Sequence, residues 1–389
     1  MNKRYLDNRR LHGAAIGALA CVIFVLVLRP ALPTTPARPD LHAAVAQIVA
    51  RDIAPMAAAD GGGGVAVAVR IDGRTFFFNY GLADWAARRP ITSDSLFNVG
   101  SIRKIFEAVL ITLGVERREL TLDDRVAQYV SELHGDYIRR VTIGQLATHT
   151  SGLIMPAEPE PLSPKGYPLA QFIDLLNNYT PENGEQPGKQ QIYSHAGYVL
   201  LQLVLERRYG RPIAELIRDR VTEPLGMDST LVPERGPHDR AIMVREFMQR
   251  AVQGYSYGGQ PIGLPGNQQD EFDFPGTGQM FSSPRDLAIL AAASVHDWPV
   301  DGEMWRALKA TEQGVFRVSA DDVQAMAWEV IDAGGPTIVD KPGGLDNAQA
   351  YVGLVPAQKL GLVILSNRGD IHPFEAARAT VLPELARLK

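Results

Sequence analysis

Cysteine is almost absent. Cys21 is the only one in 389 residues, and it lies in the first forty. The rest of the chain can form no internal disulfide, so its stability must come from a core. A chain of this length can bury one as a single large domain or two modest ones. Basic runs and basic-aromatic patches are also missing from the body, and the formal net charge is −5. Nucleic acid is therefore not expected as a partner. There is no His-Glu-x-x-His and no usable cysteine set, so no metal site is expected. His149 and His195 are far apart in sequence and lack an evident third ligand, and for His149 a structural hydrogen-bonding role is expected. Gly61 to Gly64 lacks the Lys-Ser/Thr of a phosphate loop. No cofactor is expected, and there is no internal repeat. With 21% charged and 46% apolar residues, the composition is that of an ordinary globular protein.

What is present begins with a composition shift. Lys3, Arg4, Arg9 and Arg10 precede Ala14–Leu28, 15 residues without a charge. Basic residues before a short apolar run form a secretory signal pattern. The run is short of the roughly 20 residues that a membrane-spanning helix needs. It reads as a cleaved signal peptide or as an anchor whose basic end stays in the cytoplasm. Residues 29–40 hold four prolines and read as an extended tether. The body, 41–389, is expected to be exported to the periplasm, either free or held at the inner membrane by residues 14–28.

Along the body, Leu41 to Ala59 carries helical periodicity. Val65–Ile71 and Thr75–Tyr80 are strand-like and joined by Asp72-Gly73, a strong hairpin signal. From about Leu120 to Arg250 the pattern is mostly helical, with candidates at Ile143–Thr148, Leu169–Asn178, Ala196–Tyr209 and Ile213–Val221. Pro156–Pro168 reads as a loop, and so does Val252–Gln279. A helix starts at Ser283-Pro284. Strands return at Thr337–Lys341, Ala350–Val355 and Leu360–Leu365, and Phe374–Leu388 closes the chain as a helix despite Pro383. Strands at both ends with helices between predict an α+β fold. One antiparallel sheet is built from both termini, and a mostly helical region is inserted. The α/β part is expected at about 41–119 and 280–389, and the helical part at about 120–279.

The stretch with the most chemistry is Asn98–Leu113, NVGSIRKIFEAVLITL. Its apolar residues recur at i, i+3 and i+4, predicting a helix with one buried stripe. Gly100 precedes it, where the backbone needs an unusual angle or room for a close approach. Ser101 stands in the first turn and Lys104 one turn on, so hydroxyl and amine share a side. A serine is a poor nucleophile until a base takes its proton. A lysine partly desolvated beside an apolar stripe can be that base. The helix start adds free N–H groups suited to an oxyanion.

Two further groups carry potential chemistry. Tyr193-Ser194-His195 follows a turn and precedes a helix, and a tyrosine there can move a proton if a cation lowers its pKa. Lys341-Pro342-Gly343-Gly344 ends a candidate strand. The lysine can attract an anion, the glycines admit a substrate close to the backbone, and the Gly344 N–H can serve as an oxyanion donor. Taken singly, each has an ordinary reading: a capping serine, a core tyrosine, a solvated lysine at a strand end.

Their order decides between these readings. Ser-x-x-Lys, Tyr-x-His and Lys-x-Gly before a late hairpin together resemble the penicillin-recognising serine hydrolases. Class C β-lactamases, D-Ala-D-Ala peptidases and related esterases are the nearest group. LFNVGSIRKIF, LATHTSGL, IYSHAGYVLLQLVLE, EPLGMDST, AWEVID and VPAQKLGLVILSN extend the likeness over about Leu41–Leu388. The resemblance implies an α/β sandwich with an inserted helical domain and a small-molecule substrate: a β-lactam, a cell-wall peptide or an ester. It implies Ser101 as the acylated nucleophile, Lys104 as its basic partner, and Tyr193 as the group that activates water or protonates the leaving group. Lys341 would support Tyr193 and the substrate carboxylate, and the N–H groups of Ser101 and Gly344 would form the oxyanion hole. His195 and Gly343 would contact substrate. Three positions depart from the family pattern: His195 replaces an asparagine, Pro342 a threonine or serine, and Met155-Pro156 stands near where class C enzymes often carry a glutamine.

Overall fold

The computed structural model describes residues 40–57, 62–154, 169–181, 184–232, 247, 249–263 and 280–389. The expected signal or anchor at 14–28, the tether, the Pro156–Pro168 loop and Met155-Pro156 lie outside these residues. No helix among the described residues is long and apolar enough to cross a membrane.

Strands β1 (Gly64–Ile71) and β2 (Arg74–Asp84) form the hairpin expected from Asp72-Gly73. Asp72 has φ 49° and Gly73 φ 69°, the paired left-handed residues that match the twist of a two-residue hairpin. Next come β3 (Arg89–Pro90), β4 (Phe97–Asn98), β5 (Gly254–Tyr255), β6 (Pro261–Ile262) and β7 (Phe281–Ser282). The C-terminal part supplies β8 (Phe316–Arg317), β9 (Asp322–Gln324), β10 (Glu329–Ile331), β11 (Ile338–Leu345), β12 (Ala348–Val355) and β13 (Leu360–Ser366). Nine of them build one antiparallel sheet in the order β3-β2-β1-β13-β12-β11-β10-β9-β8. The two ends of the chain join where Val65 pairs with Ser366 and Arg70 with Gly361.

Both faces of the sheet are covered. Ala66, Ala68, Val352, Val363 and Leu365 point into a core shared with the central helices. Val65, Val67, Val69, Leu362 and Ile364 point into a second core, shared with helix α1 (Leu41–Asp52) and the C-terminal helical run. Burial on both sides is why these strands read as nearly continuous apolar runs. The α+β architecture is thus the expected one.

Three local expectations need correction. First, Lys341–Gly344 does not end a strand, because β11 runs through it to Leu345 and pairs with β12 along its length. Second, helix α2 (Arg103–Glu116) is not buried along one stripe. Every residue from Arg103 to Gly114 is buried, and Arg103 and Glu107 pair inside at 2.8 Å. The apolar stripe was real, but protein packs on the other flank as well. Third, the closing helix is segmented: Pro373–Ala376, a π turn at Ala377–Val381, then Leu382–Ala386. Pro383 has no N–H and crowds the preceding turn, and the widened π turn lies just where that strain falls.

Candidate active site

Three backbone segments meet at the site. Gly100–Ile102 forms one 3₁₀ turn that leads into α2. Gly100 has φ 50°, and a Cβ there would lie 3.2 Å from the Gly344 nitrogen. Only glycine accepts that angle so close to another backbone. The second segment is the edge of β11 beyond Lys341, where β10 no longer pairs with it. A Cβ on Gly343 would collide with the Val99 carbonyl oxygen and lie 3.1 Å from Ser101 N. The two glycines therefore let β11 run directly against the turn carrying Ser101. Gly343→Ala is expected to force these backbones apart. Overpacking of this kind costs roughly 1–3 kcal/mol. Thermal denaturation should register that loss, and kcat/KM should fall even where the protein remains folded.

The third segment is the loop before α5 (His195–Tyr209). Ser194 caps this helix, its Oγ accepting from Gly197 N at 2.9 Å. That fixes Tyr193 one residue outside the helix. His149 holds the loop from below: Ile192 N donates to its carbonyl at 2.8 Å, and Ser194 N to its Nδ1 at 3.1 Å. The imidazole also packs on the Tyr193 ring, centroids 4.4 Å apart. The structural role expected for His149 is what it has, and through it Tyr193 is aimed at Ser101.

The reacting groups converge. Lys104 Nζ donates to Ser101 Oγ at 3.1 Å, and Tyr193 Oη lies 2.6 Å from the same oxygen. Lys104 is fully buried and Lys341 is 2% exposed, so Lys341 is not the solvated lysine of a strand end. Lys341 Nζ stands 4.7 Å from the centre of the Tyr193 ring. Tyr193 itself is 41% exposed, with its ring open to the cavity and its hydroxyl held between Ser101 and Lys104.

The electrostatics follow from this crowding. Burial pulls the Lys104 amine below the usual lysine range; Tyr193 opposes that and Lys341 adds to it. Burial alone would push the Tyr193 hydroxyl up, but the charges of Lys104 and Lys341 outweigh it and bring it down to about 8. Burial, reinforced by the same two lysines, lowers His195 to about 4, so its imidazole is neutral at physiological pH. His149 is driven well below its usual value by burial.

These groups line a cavity of about 530 Å³ that also takes in His195, Pro342, Gly343 and Gly344. Ser101, Tyr193, His195, Lys341, Gly343 and Gly344, the expected catalytic, oxyanion and substrate-contacting residues other than Lys104, are all on this lining, and Lys104 sits immediately beneath it. Gln191, Asp322, Gln324, Glu329, Gln349 and Phe374 line it too and were not singled out. Of these, Glu329 lies in AWEVID, a segment that carries the family likeness, and Phe374 opens the expected closing helix. Among the described residues, no group of three His, Cys, Asp or Glu side chains could hold a metal ion. A serine hydroxyl bonded to a buried amine and to an acidified phenol is equipped for nucleophilic attack on a carbonyl. The adjacent backbone edge can receive the oxyanion.

Comparison with known proteins agrees. A β-lactamase of Pseudomonas fluorescens is 27% identical over 356 residues, covering 83% of this chain and 94% of that protein. The fold is shared with a class C β-lactamase at TM-score 0.76 and 24% identity, covering 90% of this chain and 97% of the other. It is shared as well with a β-lactamase/D-alanine carboxypeptidase from Pseudomonas syringae, at TM-score 0.73 and 24% identity over 89% and 98% of the two chains. The family model described as Beta-lactamase matches residues 49–387, and with nearly all of the described body inside that match, this chain belongs to the beta-lactamase family.

Proposed function

We propose that this chain is a serine acyl-hydrolase of the class C β-lactamase type, opening the β-lactam amide through an acyl-enzyme on Ser101. The observation that carries this reading is the convergence of Lys104 Nζ and Tyr193 Oη on Ser101 Oγ, at 3.1 and 2.6 Å. In the proposed sequence Ser101 Oγ bonds to the carbonyl carbon while its proton passes to Lys104. The tetrahedral oxyanion is held by the N–H groups of Ser101 and Gly344. Tyr193 then protonates the departing nitrogen as the C–N bond breaks. As phenolate it next takes a proton from the water that attacks the ester, and as the C–Oγ bond breaks Ser101 Oγ recovers its proton from Lys104. Lys341 keeps Tyr193 acidic and attracts the substrate carboxylate. His195 and Gly343 contact substrate.

The test is a panel of nitrocefin, a D-Ala-D-Ala peptide and p-nitrophenyl acetate. Nitrocefin turnover that is lost in Ser101→Ala supports the proposal. Turnover of the peptide or ester alone supports the second reading, a D-Ala-D-Ala peptidase or small-ester esterase. Covalent trapping without release would make the chain a non-hydrolysing binding protein.

Pro342 is the observation that favours the second reading. It lines the cavity beside Lys341 and offers neither hydroxyl nor N–H. A missing hydrogen bond to a charged group is worth roughly 1.5–3 kcal/mol, about 10- to 100-fold in rate. A β-lactam presents a carboxylate there and a simple acetyl ester does not. Pro342→Thr is therefore expected to raise kcat/KM for a penicillin more than for p-nitrophenyl acetate. An unchanged or lower ratio in the folded variant would remove this account of specificity. His195→Asn is expected to act in the same direction.

We also propose export to the periplasm, with residues 1–28 as signal peptide or inner-membrane anchor, 29–40 as linker and 41–389 as the hydrolase domain. Within that domain we propose an α/β part at about 41–119 and 280–389 and a helical part at about 120–279. The basic-then-apolar N-terminus supports the export reading, and fractionation of cells expressing the full chain tests it.

A further inference from the structure

Behind Lys341 lies a charge network in which the site's serine, tyrosine and SxxK lysine take no part. Asp340 precedes Lys341 on β11 and is fully buried. Arg378, in the π turn of the C-terminal helical run, grips it with two bonds, Nε to Oδ2 at 2.6 Å and Nη2 to Oδ1 at 2.7 Å. Tyr351 Oη donates to the same carboxylate at 2.7 Å. Arg378 Nη2 also donates to Glu329 Oε2 at 2.6 Å. The other oxygen of Glu329 lies 3.9 Å from Lys341 Nζ, too long for a hydrogen bond but well within ion-pair attraction. Two cations and two anions thus form a neutral cluster whose cavity-facing end is Lys341.

Position in this cluster sets what Lys341 can do. Glu329 has one oxygen engaged by Arg378 and so stands off from Lys341, leaving the ammonium over the Tyr193 ring. Without Arg378, Glu329 and Asp340 would be two carboxylates, and Lys341, beside Glu329, the one cation left in the cluster. Lys341 would be drawn toward Glu329, and the surplus negative charge would stand behind Tyr193. We propose that Arg378 is a positioning residue for the active site. By holding Glu329 and Asp340, it keeps the Lys341 ammonium directed at Tyr193 and the substrate.

The inference rests on the reading of Tyr193 as the group that moves protons, and the experiment separates the two. Tyr193 is faced by Lys104 from α2, Lys341 from β11, His149 from the loop below and His195 from α5. Both imidazoles are neutral above about pH 5, since burial lowers His195 to about 4 and His149 well below its usual value. The two lysines are therefore the charges that set Tyr193.

The measurement is kcat against pH for a neutral ester whose turnover is limited by deacylation, the step in which Tyr193 acts as phenolate, together with thermal denaturation, in the full chain. Arg378→Gln adds net negative charge behind Tyr193, so the acid limb is expected to move to higher pH. A limb one unit higher costs about tenfold in kcat on the acid side. Glu329→Gln removes a negative charge, and its limb is expected to move to lower pH. Arg378→Lys keeps the charge and should leave the limb near the wild-type position. A limb unmoved in Arg378→Gln, with only a lower melting temperature, would make Arg378 structural and overturn the inference. If that variant does not fold, Glu329→Gln decides alone, and an unmoved limb there overturns the inference as well. A limb near pH 8 that survives in Tyr193→Phe would instead overturn the role given to Tyr193. With the limb lost in Tyr193→Phe but unmoved in Arg378→Gln, the Arg378 inference alone fails.

Discussion

Replacing Ser101 with alanine is expected to abolish covalent labelling and to lower turnover of any acyl substrate by roughly 10⁴-fold or more, the scale on which removal of a nucleophile acts. Loss of the Oγ leaves two polar neighbours, Lys104 Nζ and Tyr193 Oη, which already interact with each other. Neither is orphaned, so the melting temperature should change little. That combination, lost chemistry in an intact fold, is what distinguishes a nucleophile from a capping serine, whose loss costs stability. Intact-mass spectrometry after incubation with a penicillin or a fluorophosphonate checks it. A mass shift that persists in Ser101→Ala would relocate the nucleophile.

Lys104→Ala is expected to have the next largest effect, in two separable parts. The first is a rate loss. Proton transfer from a positioned base contributes about 10²–10⁴-fold, and the 3.1 Å bond from Lys104 to Ser101 Oγ places it for that task. The second is a shift in pH dependence. Burial pushes the Tyr193 hydroxyl up, and the charge of Lys104 is the largest influence bringing it back to about 8. In the acyl-enzyme Lys104 carries the serine proton, and wild type should therefore show kcat for a deacylation-limited ester rising with pH towards about 8. In Lys104→Ala the remaining activity should rise only at higher pH, because the phenolate has lost its nearest cation. Steady-state kinetics across pH 5–10 with p-nitrophenyl acetate reads both. A rate loss without any movement of the limb would confine Lys104 to Ser101 and separate it from Tyr193.

Features set by residues close in sequence are legible in the sequence. Asp72-Gly73 marks a hairpin because two adjacent residues at positive φ suffice to make one. Ser101 and Lys104 share a side because helical spacing alone brings residues three apart together. The sheet built from both termini followed from where the β-forming runs lie, and the pairing of Val65 with Ser366 carries it out. Features set by a remote neighbour are not legible in this way. The stripe on α2 was visible, but its second buried flank depends on elements far along the chain. Strands β8, β9 and β10 have two or three residues each, too few to show a period of two. The run Lys341–Gly344 looked like a strand end because glycines usually break strands. Here they are what lets β11 lie against the Ser101 turn.

By itself, the sequence determined the identity of the reactive groups and the spacing that makes one pair of them, Ser101 and Lys104, adjacent. It also determined the β-forming runs at both ends of the chain that pair in one sheet. Only the tertiary structure decided that Tyr193, 92 positions from Ser101, meets it, and that Lys341 is buried rather than solvated. It alone decided that Arg378, 38 positions beyond Asp340, ties the last helical run to the floor of the site. The reason is physical. A pKa or a hydrogen bond is set by distance and by exclusion of water, and between remote segments both are fixed by how the two cores pack against the sheet.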